Sequence, residues 1–166
     1  MSVCIMGIDP GAASGGIAFY FPSHPQLITA EDMPTAAGHV DVATLAMRTE
    51  QMRPALAVIE MVGAMPGQGV ASTFHFGKSY GAIIGVVATL KIPTHFVAPT
   101  KWKRHYGLSK DKELSRARAL ELWPARAELF SKKKHHNRAE AALLARYGAD
   151  VVVQLSNPST LNAGRD

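Results

Sequence analysis

The sequence predicts an α/β fold built on a mixed five-stranded sheet with helices on both faces. Near the N-terminus, three short segments with strand character follow one another, separated only by Gly- and Pro-containing turns. Two further short apolar runs are each followed by a segment with helical character. The first observation predicts an antiparallel meander, and the second adds strands whose connecting helices cover the sheet.

The strand segments are apolar or β-branched and are bounded by turn residues. They are expected at residues 2–8, 15–21, 26–31, 55–60 and 94–97. The turn Asp9-Pro10-Gly11 ends the first strand, and Pro22 and Pro25 lie between the second and the third. The fourth is wholly apolar up to Glu60, which is typical of a central strand covered on both faces.

The helical segments lie mainly in the second half of the chain. They are expected at residues 40–52, 70–90, 99–106, 111–122 and 136–148. Asp41 is placed to stabilise the first turn of the first helix, and Pro93 ends the second. Between the fourth strand and the second helix, residues 61–69 are rich in Gly, Met and Pro and should form a loop.

The composition predicts one domain. With 166 residues, of which 47% are hydrophobic, the chain can bury a full core, and we expect the domain at residues 1–150 and a loose tail at residues 151–166. The single cysteine, Cys4, lies in an apolar strand, so we expect a core residue in a reducing compartment. There is no secretory signal and no apolar stretch of membrane-spanning length, which favours a soluble cytoplasmic protein without a membrane partner.

Positive charge is concentrated in the second half of the chain. Residues 1–90 contain three Lys or Arg against six Asp or Glu, whereas residues 91–150 contain fourteen against six. Such a segment suits a polyanionic partner, because Lys and Arg contacts to phosphate release counterions. A merely soluble basic surface would have the same composition, so charge alone does not decide between them.

Three carboxylates stand where a rigid scaffold would hold them. Asp9 ends the first strand, Glu60 ends the fourth, and Glu140 lies one turn inside the last helix, among alanines. Adjacent strands that end in acidic residues bring carboxylates within a few ångströms, which is unfavourable unless a cation neutralises them. Oxygen ligands suit Mg²⁺ or Mn²⁺, and two such ions can activate water and stabilise the leaving oxygen in phosphodiester hydrolysis.

Each carboxylate also has an ordinary structural interpretation. Asp9 lies in a common turn sequence, Glu60 could be a strand-end charge that reaches solvent, and Glu140 could be a surface residue of its helix. The alanines around Glu140 argue instead for a helix that packs closely on the sheet. Together the three positions indicate a candidate catalytic centre.

Five motifs resemble, in order, those of the RuvC-type Holliday-junction resolvases. They are Gly7-Ile8-Asp9-Pro10-Gly11 with Ser14-Gly15-Gly16, Ala57-Val58-Ile59-Glu60, the helix from Gly69-Val70-Ala71 to Ser79-Tyr80-Gly81-Ala82, Val97-Ala98-Pro99-Thr100-Lys101-Trp102-Lys103, and His136-Asn137-Arg138-Ala139-Glu140-Ala141. The likeness covers residues 3–148, nearly the whole chain.

The resemblance implies an RNase H-like fold and a crossover junction endodeoxyribonuclease of DNA recombination and repair. It implies Mg²⁺ or Mn²⁺ as cofactor, with two ions per active site, and Asp9, Glu60 and Glu140 as catalytic metal ligands. It also implies a homodimer that nicks two strands of a four-way junction symmetrically.

The chain departs from the family pattern on the last helix. The family often has two acidic residues three apart there, and Asn137 holds the earlier position in this chain. His136 lies four residues before Glu140 and so shares its helix face. We expect His136, in preference to His135 or Asn137, to act as a ligand of the metal or on the attacking water.

Basic residues beside these motifs are candidate DNA contacts. They are Lys101, Lys103, Arg104, Lys132, Lys133, Lys134 and Arg138. A charge run is usually a solvated surface, but the second of these groups lies at a helix N-terminus beside the acidic centre. In the loop 61–69, from which related resolvases insert a side chain into the junction, Met65 is the apolar candidate and Gln68 the polar one.

Small residues on the second helix suggest a packing surface. Gly77, Gly81 and Gly85 recur every four residues and form one flat stripe. The stripe permits close contact either with the chain's own sheet or with a second copy across a two-fold axis. A two-fold dimer would match the symmetry of a four-way junction.

Three other functions fit parts of this pattern. An ATPase or sugar-kinase-like domain also has an Asp-x-Gly turn, but such proteins duplicate the fold and need a far longer chain, so no nucleotide cofactor is expected. A branched-DNA-binding module with weak or lost catalysis would explain Asn137 but not three converging carboxylates. A related nuclease acting on RNA or on other branched DNA is not separated from junction resolution by these residues.

Overall fold

Five strands form the predicted mixed sheet in a computed structural model that describes residues 2–11 and 14–154. The strands are β1 (Ile5–Asp9), β2 (Gly16–Tyr20), β3 (Ile28–Asp32), β4 (Thr35–Ala36), β5 (His39–Val40), β6 (Leu56–Glu60) and β7 (Thr94–Val97). The sheet has the order β3-β2-β1-β6-β7, and β4 and β5 form a separate small hairpin. The first three strands are antiparallel, whereas β6 is parallel to both β1 and β7. The predicted meander and the mixed sheet are therefore confirmed.

Helices cover both faces of the sheet, as predicted. They are α1 (Val42–Met52), α2 (Val70–Thr89), α3 (Pro99–His105), α4 (Lys112–Leu122) and α5 (His136–Tyr147). Short 3₁₀ segments lie at Pro124–Leu129 and Lys133–His135, and α5 continues into a π-helical turn at Gly148–Val153. The Asp41 side chain caps α1, because it accepts the Thr44 N–H at 3.1 Å.

The alternation of side chains along the strands divides the core in two. Met6 and Ile59 pack with Leu45 and Ile83 of α1 and α2 on one face. Their strand neighbours Ile5 and Val58 face the opposite side, where α3, α4 and α5 supply the packing partners. Cys4 is a buried core residue, and burial raises the pKa of its thiol to about 12.

Helix α5 lies directly against the backbone of β1 and β2. A Cβ on Gly7 would collide with the main-chain oxygen of Ala141 and the main-chain nitrogen of Ala145. A Cβ on Gly16 would collide with the main chain of Asn137. The alanines predicted to bring this helix close to the sheet therefore meet glycines on the strands, and the first turns of α5 lie beside the end of β1.

Two features of the fold were not expected. One is the hairpin of β4 and β5, because strands of two residues are too short to show a pattern. The other is that helical structure continues to Gln154, with residues 151–153 packed on the core. The expected tail residues 155–166 lie outside the described part of the chain. Among the described residues, no helix has the length and apolar character that crossing a membrane requires.

Candidate active site

Asp9 and Glu60 end two neighbouring parallel strands. In the register of β1 and β6, Ile8 lies beside Ile59, so the residues that follow them lie side by side at the carboxyl end of the sheet. Because side chains alternate along a strand, both carboxylates point to the face that α5 covers. Both are buried, with 6% of Asp9 and 9% of Glu60 exposed.

Glu140 faces this pair from α5 and is 3% exposed. Its Oε1 is held by two groups from the neighbouring helices. The Ser115 hydroxyl of α4 donates to it at 3.3 Å, and the Lys103 ammonium of α3 lies 3.1 Å away. The Lys103 side chain is itself only 15% exposed, so this ion pair lies inside the site and not on the surface.

Trp102 holds the second strand carboxylate. Its indole N–H donates to Oε2 of Glu60 at 2.6 Å, and the ring is fully buried. A hydrogen bond to a charged acceptor is about twice as strong as a neutral one, and this one also fixes the direction of the carboxylate. Trp102 is a core residue, and its contact with Glu60 was not foreseen.

The pKa values of the two strand carboxylates, Asp9 and Glu60, are raised in spite of the positive charges near them. Burial raises the pKa of Asp9 well above its ordinary value, and the charges of Glu140 and Glu60 raise it further. Burial also raises the pKa of Glu60. The ammonium groups of Lys103 and Lys112 lower both pKa values but do not cancel these effects.

The donor set fits a hard divalent cation. Three buried carboxylates offer oxygen ligands of the kind that Mg²⁺ and Mn²⁺ prefer, and burial raises the pKa of two of them, Asp9 and Glu60. Within residues 2–11 and 14–154, no three His, Cys, Asp or Glu side chains are already gathered as a metal cluster. Glu60 and Glu140 instead have protein partners in this structure.

The structure distinguishes the three candidates for the fourth position. His135 is buried, and its Nδ1 accepts the Lys132 N–H at 3.3 Å within its own turn. With the Asn137 amide oriented so that its oxygen faces the Gly15 N–H, its nitrogen lies 3.1 Å from both Nε2 of His136 and Oδ2 of Asp9. Asn137 thus contacts Asp9, and His136 contacts Asn137.

The predicted DNA contacts have different surroundings. Lys101, Arg104, Lys132, Lys133 and Lys134 are exposed. Arg138 is paired, since its guanidinium donates to both carboxylate oxygens of Asp32 at 2.7 and 2.9 Å. In the loop after Glu60, Met65 is 70% exposed, whereas the side chain of Gln68 bonds within the loop to the Met65 N–H and the Ser72 hydroxyl.

The glycine stripe of α2 faces outward. A Cβ on Gly77, Gly81 or Gly85 would meet nothing within 4 Å, so the stripe does not pack against the chain's own sheet. Val70 and Phe74 on the same helix are 87% and 72% exposed. The helix therefore presents small and apolar residues to its surroundings.

Sequence reasoning also missed two residues that hold Glu140. Ser115 had no signal at all, because a single serine on a helix is ordinary. Lys103 was assigned to the DNA surface from its charge, and the structure places it on Glu140. Only the packing of α3 and α4 against α5 shows either role.

Comparisons with known proteins find one similar sequence and several solved structures with a similar fold. No family model matches the chain. The chloroplastic Holliday junction resolvase MOC1 of Chlamydomonas reinhardtii is 29% identical over 91 residues, which are 54% of this chain and 10% of that protein. The chain thus spans a tenth of the length of this relative.

Solved structures match over nearly the whole chain. RuvC of T. thermophilus in complex with a Holliday junction substrate has a TM-score of 0.70 at 16% identity, covering 93% of this chain and 97% of that one. The yeast mitochondrial resolvase Ydc2 has a TM-score of 0.57 at 14% identity, with 96% and 85% covered. The Fowlpox virus resolvase with junction DNA has a TM-score of 0.55 at 13% identity, with 91% and 99% covered. The RNase H-like fold of the RuvC type, expected from the motifs, is confirmed.

Proposed function

We propose that this chain is a metal-dependent endonuclease that resolves four-way (Holliday) DNA junctions as a homodimer. The observation that supports this most is that Asp9 and Glu60 are buried side by side at the ends of two parallel strands of a RuvC-type fold, with Glu140 buried on the helix that covers them. The curated relative, Ydc2 and the Fowlpox virus protein are named as resolvases, and the RuvC and Fowlpox virus structures contain junction DNA.

In this proposal Asp9, Glu60 and Glu140 hold two Mg²⁺ or Mn²⁺ ions, and His136 assists at the metal or at the attacking water. When bound, the ions would activate water and stabilise the leaving oxygen of the phosphodiester. The protein's own part is orientation: Trp102 directs Glu60, while other helices hold Glu140. Such preorganisation lowers the barrier because the ligands need not be rearranged during the reaction.

DNA binding would depend on the exposed basic residues beside this centre. Lys101 and Arg104 lie on α3, and Lys132, Lys133 and Lys134 precede α5. Contacts of this kind bind phosphate and position the duplex without reading its sequence. The exposed Met65 follows Glu60 along the chain and is the candidate for insertion at the junction centre, with Gln68 beside it.

The dimer would use the outward stripe of α2. Gly77, Gly81 and Gly85 let a second helix approach closely, and the exposed Val70 and Phe74 would be covered by the partner. An isologous contact across a two-fold axis would give two active sites with the symmetry of the junction.

The test compares cleavage of a synthetic four-way junction with that of a linear duplex of the same sequence. Paired symmetric nicks on the junction are expected with Mg²⁺ or Mn²⁺ and none with EDTA. Asp9→Asn should abolish cutting. Asp41→Asn is the matched control, because Asn caps a helix as well as Asp does and Asp41 caps α1, on the face opposite α5.

The same assay separates a second candidate function, a junction-binding module with weak or lost catalysis. The amide of Asn137, where the family pattern is acidic, favours this alternative. Tight junction binding without nicks under either metal would establish it. Cutting of RNA or of other branched DNA in preference to the four-way junction would instead change the substrate class.

A further inference from the structure

Asn137 lies in the first turn of α5, against the end of β1, and is 8% exposed. Gly16 makes this position possible, because any Cβ there would collide with the main chain of Asn137. The amide is therefore held against the turn that follows Asp9, where every polar atom needs a partner.

The hydrogen bonds of Asn137 fix the orientation of its amide. The main-chain N–H of Gly15 can only donate, so the amide oxygen, 3.2 Å away, accepts from it. The amide nitrogen then donates one hydrogen to Oδ2 of Asp9 and the other to Nε2 of His136, both at 3.1 Å. Both N–H groups are used, and each goes to a predicted catalytic residue.

These bonds also select one tautomer of His136. Its Nδ1 lies 3.1 Å from the carbonyl oxygen of Lys133, which can only accept, so Nδ1 carries the hydrogen. Its Nε2 must then be the unprotonated nitrogen, which is the one that accepts from Asn137. The lone pair of the ring is thereby directed toward the Asn137 amide.

We propose that Asn137 is a positioning residue that clamps the Asp9 carboxylate to the His136 ring and takes the place of a charged metal ligand. A carboxylate at position 137 would place its oxygens against Oδ2 of Asp9 and Nε2 of His136, which are both acceptors, so a cation would be needed between them. The neutral amide of Asn137 donates a hydrogen bond to each of these two atoms, so no cation is needed. This inference rests on the proposed function and adds one point to it. Of the two metal ions, the second is bound weakly while Asn137 keeps its hydrogen bonds to Asp9 and His136.

The clamp itself is tested without DNA or metal. Nitrogen-15 NMR of the histidine side chains at about pH 8, where the ring is neutral, reports the tautomer. We expect His136 to carry its hydrogen on Nδ1 in both proteins, and the nitrogen-15 shift of its unprotonated Nε2 to change in Asn137→Leu because the amide donor is removed, with the other histidines as internal references. An Nε2-protonated His136 in the wild type, or an Nε2 shift that is the same in both proteins, would overturn the clamp.

The effect on metal binding is tested by measuring the affinity and stoichiometry of Mn²⁺ for the wild type and for Asn137→Asp, with calorimetry and electron paramagnetic resonance. We expect the variant to bind a second ion about tenfold more tightly. Unchanged Mn²⁺ affinity and stoichiometry would overturn this part of the proposal. A protein that shows the tautomer but does not cut junctions would refute the nuclease function and leave the clamp intact.

Discussion

Gly7→Ala tests whether the packing of α5 on β1 sets the geometry of the active site. The new Cβ would collide with main-chain atoms of Ala141 and Ala145, which cannot rotate away as a side chain could. The Cβ would lie 2.0 Å from the Ala141 oxygen, whereas ordinary contact begins at 3.4 Å, so the helix must withdraw by about 1.4 Å, with loss of dispersion contacts along the interface. Overpacking of a close-packed core costs about 1–3 kcal/mol, and a clash with rigid backbone belongs at the upper end.

For a chain of this size, 1 kcal/mol shifts the melting temperature by about 2–4 °C, so we expect Gly7→Ala to melt about 6–12 °C below the wild type. Glu140 precedes Ala141 and would move with it. A misplacement of about 1 Å can cost about 100-fold in rate, which predicts a loss of that order in junction cleavage well below the melting temperature.

Scanning calorimetry and single-turnover cleavage measure the two effects separately. Gly63→Ala is the control, because a Cβ at Gly63 meets nothing within 4 Å and should leave the melting temperature unchanged. A Gly7→Ala protein that melts with the wild type would refute the close contact. A destabilised variant with normal cleavage would show that Glu140 is not positioned by this interface.

Three further predictions concern the charge, the indole and the dimer. The raised pKa values of Asp9 and Glu60 mean that the fold binds their protons more tightly than the unfolded chain does. The stability that these two groups contribute without metal is therefore greatest below the ordinary carboxyl pKa and falls as pH rises through the raised values. Mn²⁺ should therefore raise the melting temperature more at about pH 8 than at about pH 5 in a fluorimetric melt, and equal gains would contradict the charge argument. Trp102→Phe removes the hydrogen-bond donor to Glu60 and should lower the free energy of unfolding in urea by about 1.5–3 kcal/mol. Trp123→Phe is the control, because the Trp123 indole donates to a main-chain oxygen; it should lower the free energy of unfolding by less and leave Mn²⁺ affinity unchanged. Gly81→Arg should yield a folded monomer in sedimentation velocity, and a persistent dimer would place the interface elsewhere.

Most of the fold could be predicted from the spacing of apolar and turn residues along the sequence. The apolar runs, the turn after Asp9 and the proline after α2 are local features, and each strand and helix they indicated is present. The closeness of Asp9 and Glu60 also followed from strand ends alone, because parallel neighbours with matched register leave no other place for them.

The hydrogen bonds that hold the site carboxylates could not be predicted from the sequence, because they join side chains from distant segments. The bond from Trp102 to Glu60 spans 42 positions, and the one from Ser115 to Glu140 spans 25. The pairing of Lys103 with Glu140 could not be predicted for the same reason, since charge indicates solvent unless a buried partner is known. Likewise, Asn137 looked like a lost ligand, and only its three hydrogen bonds show what an amide does there.

The outward glycines of α2 have a consequence for the stability of the chain on its own. Glycine in an exposed helix interior costs about 1 kcal/mol relative to alanine, so Gly77, Gly81 and Gly85 together weaken the helix by about 3 kcal/mol. That is a sizeable share of the net stability of an ordinary domain. If a second copy covers the stripe, association adds to the stability of the folded chain, and the melting temperature rises with protein concentration. Dilution would then lower the stability of the folded monomer first at α2, the helix that loses its partner.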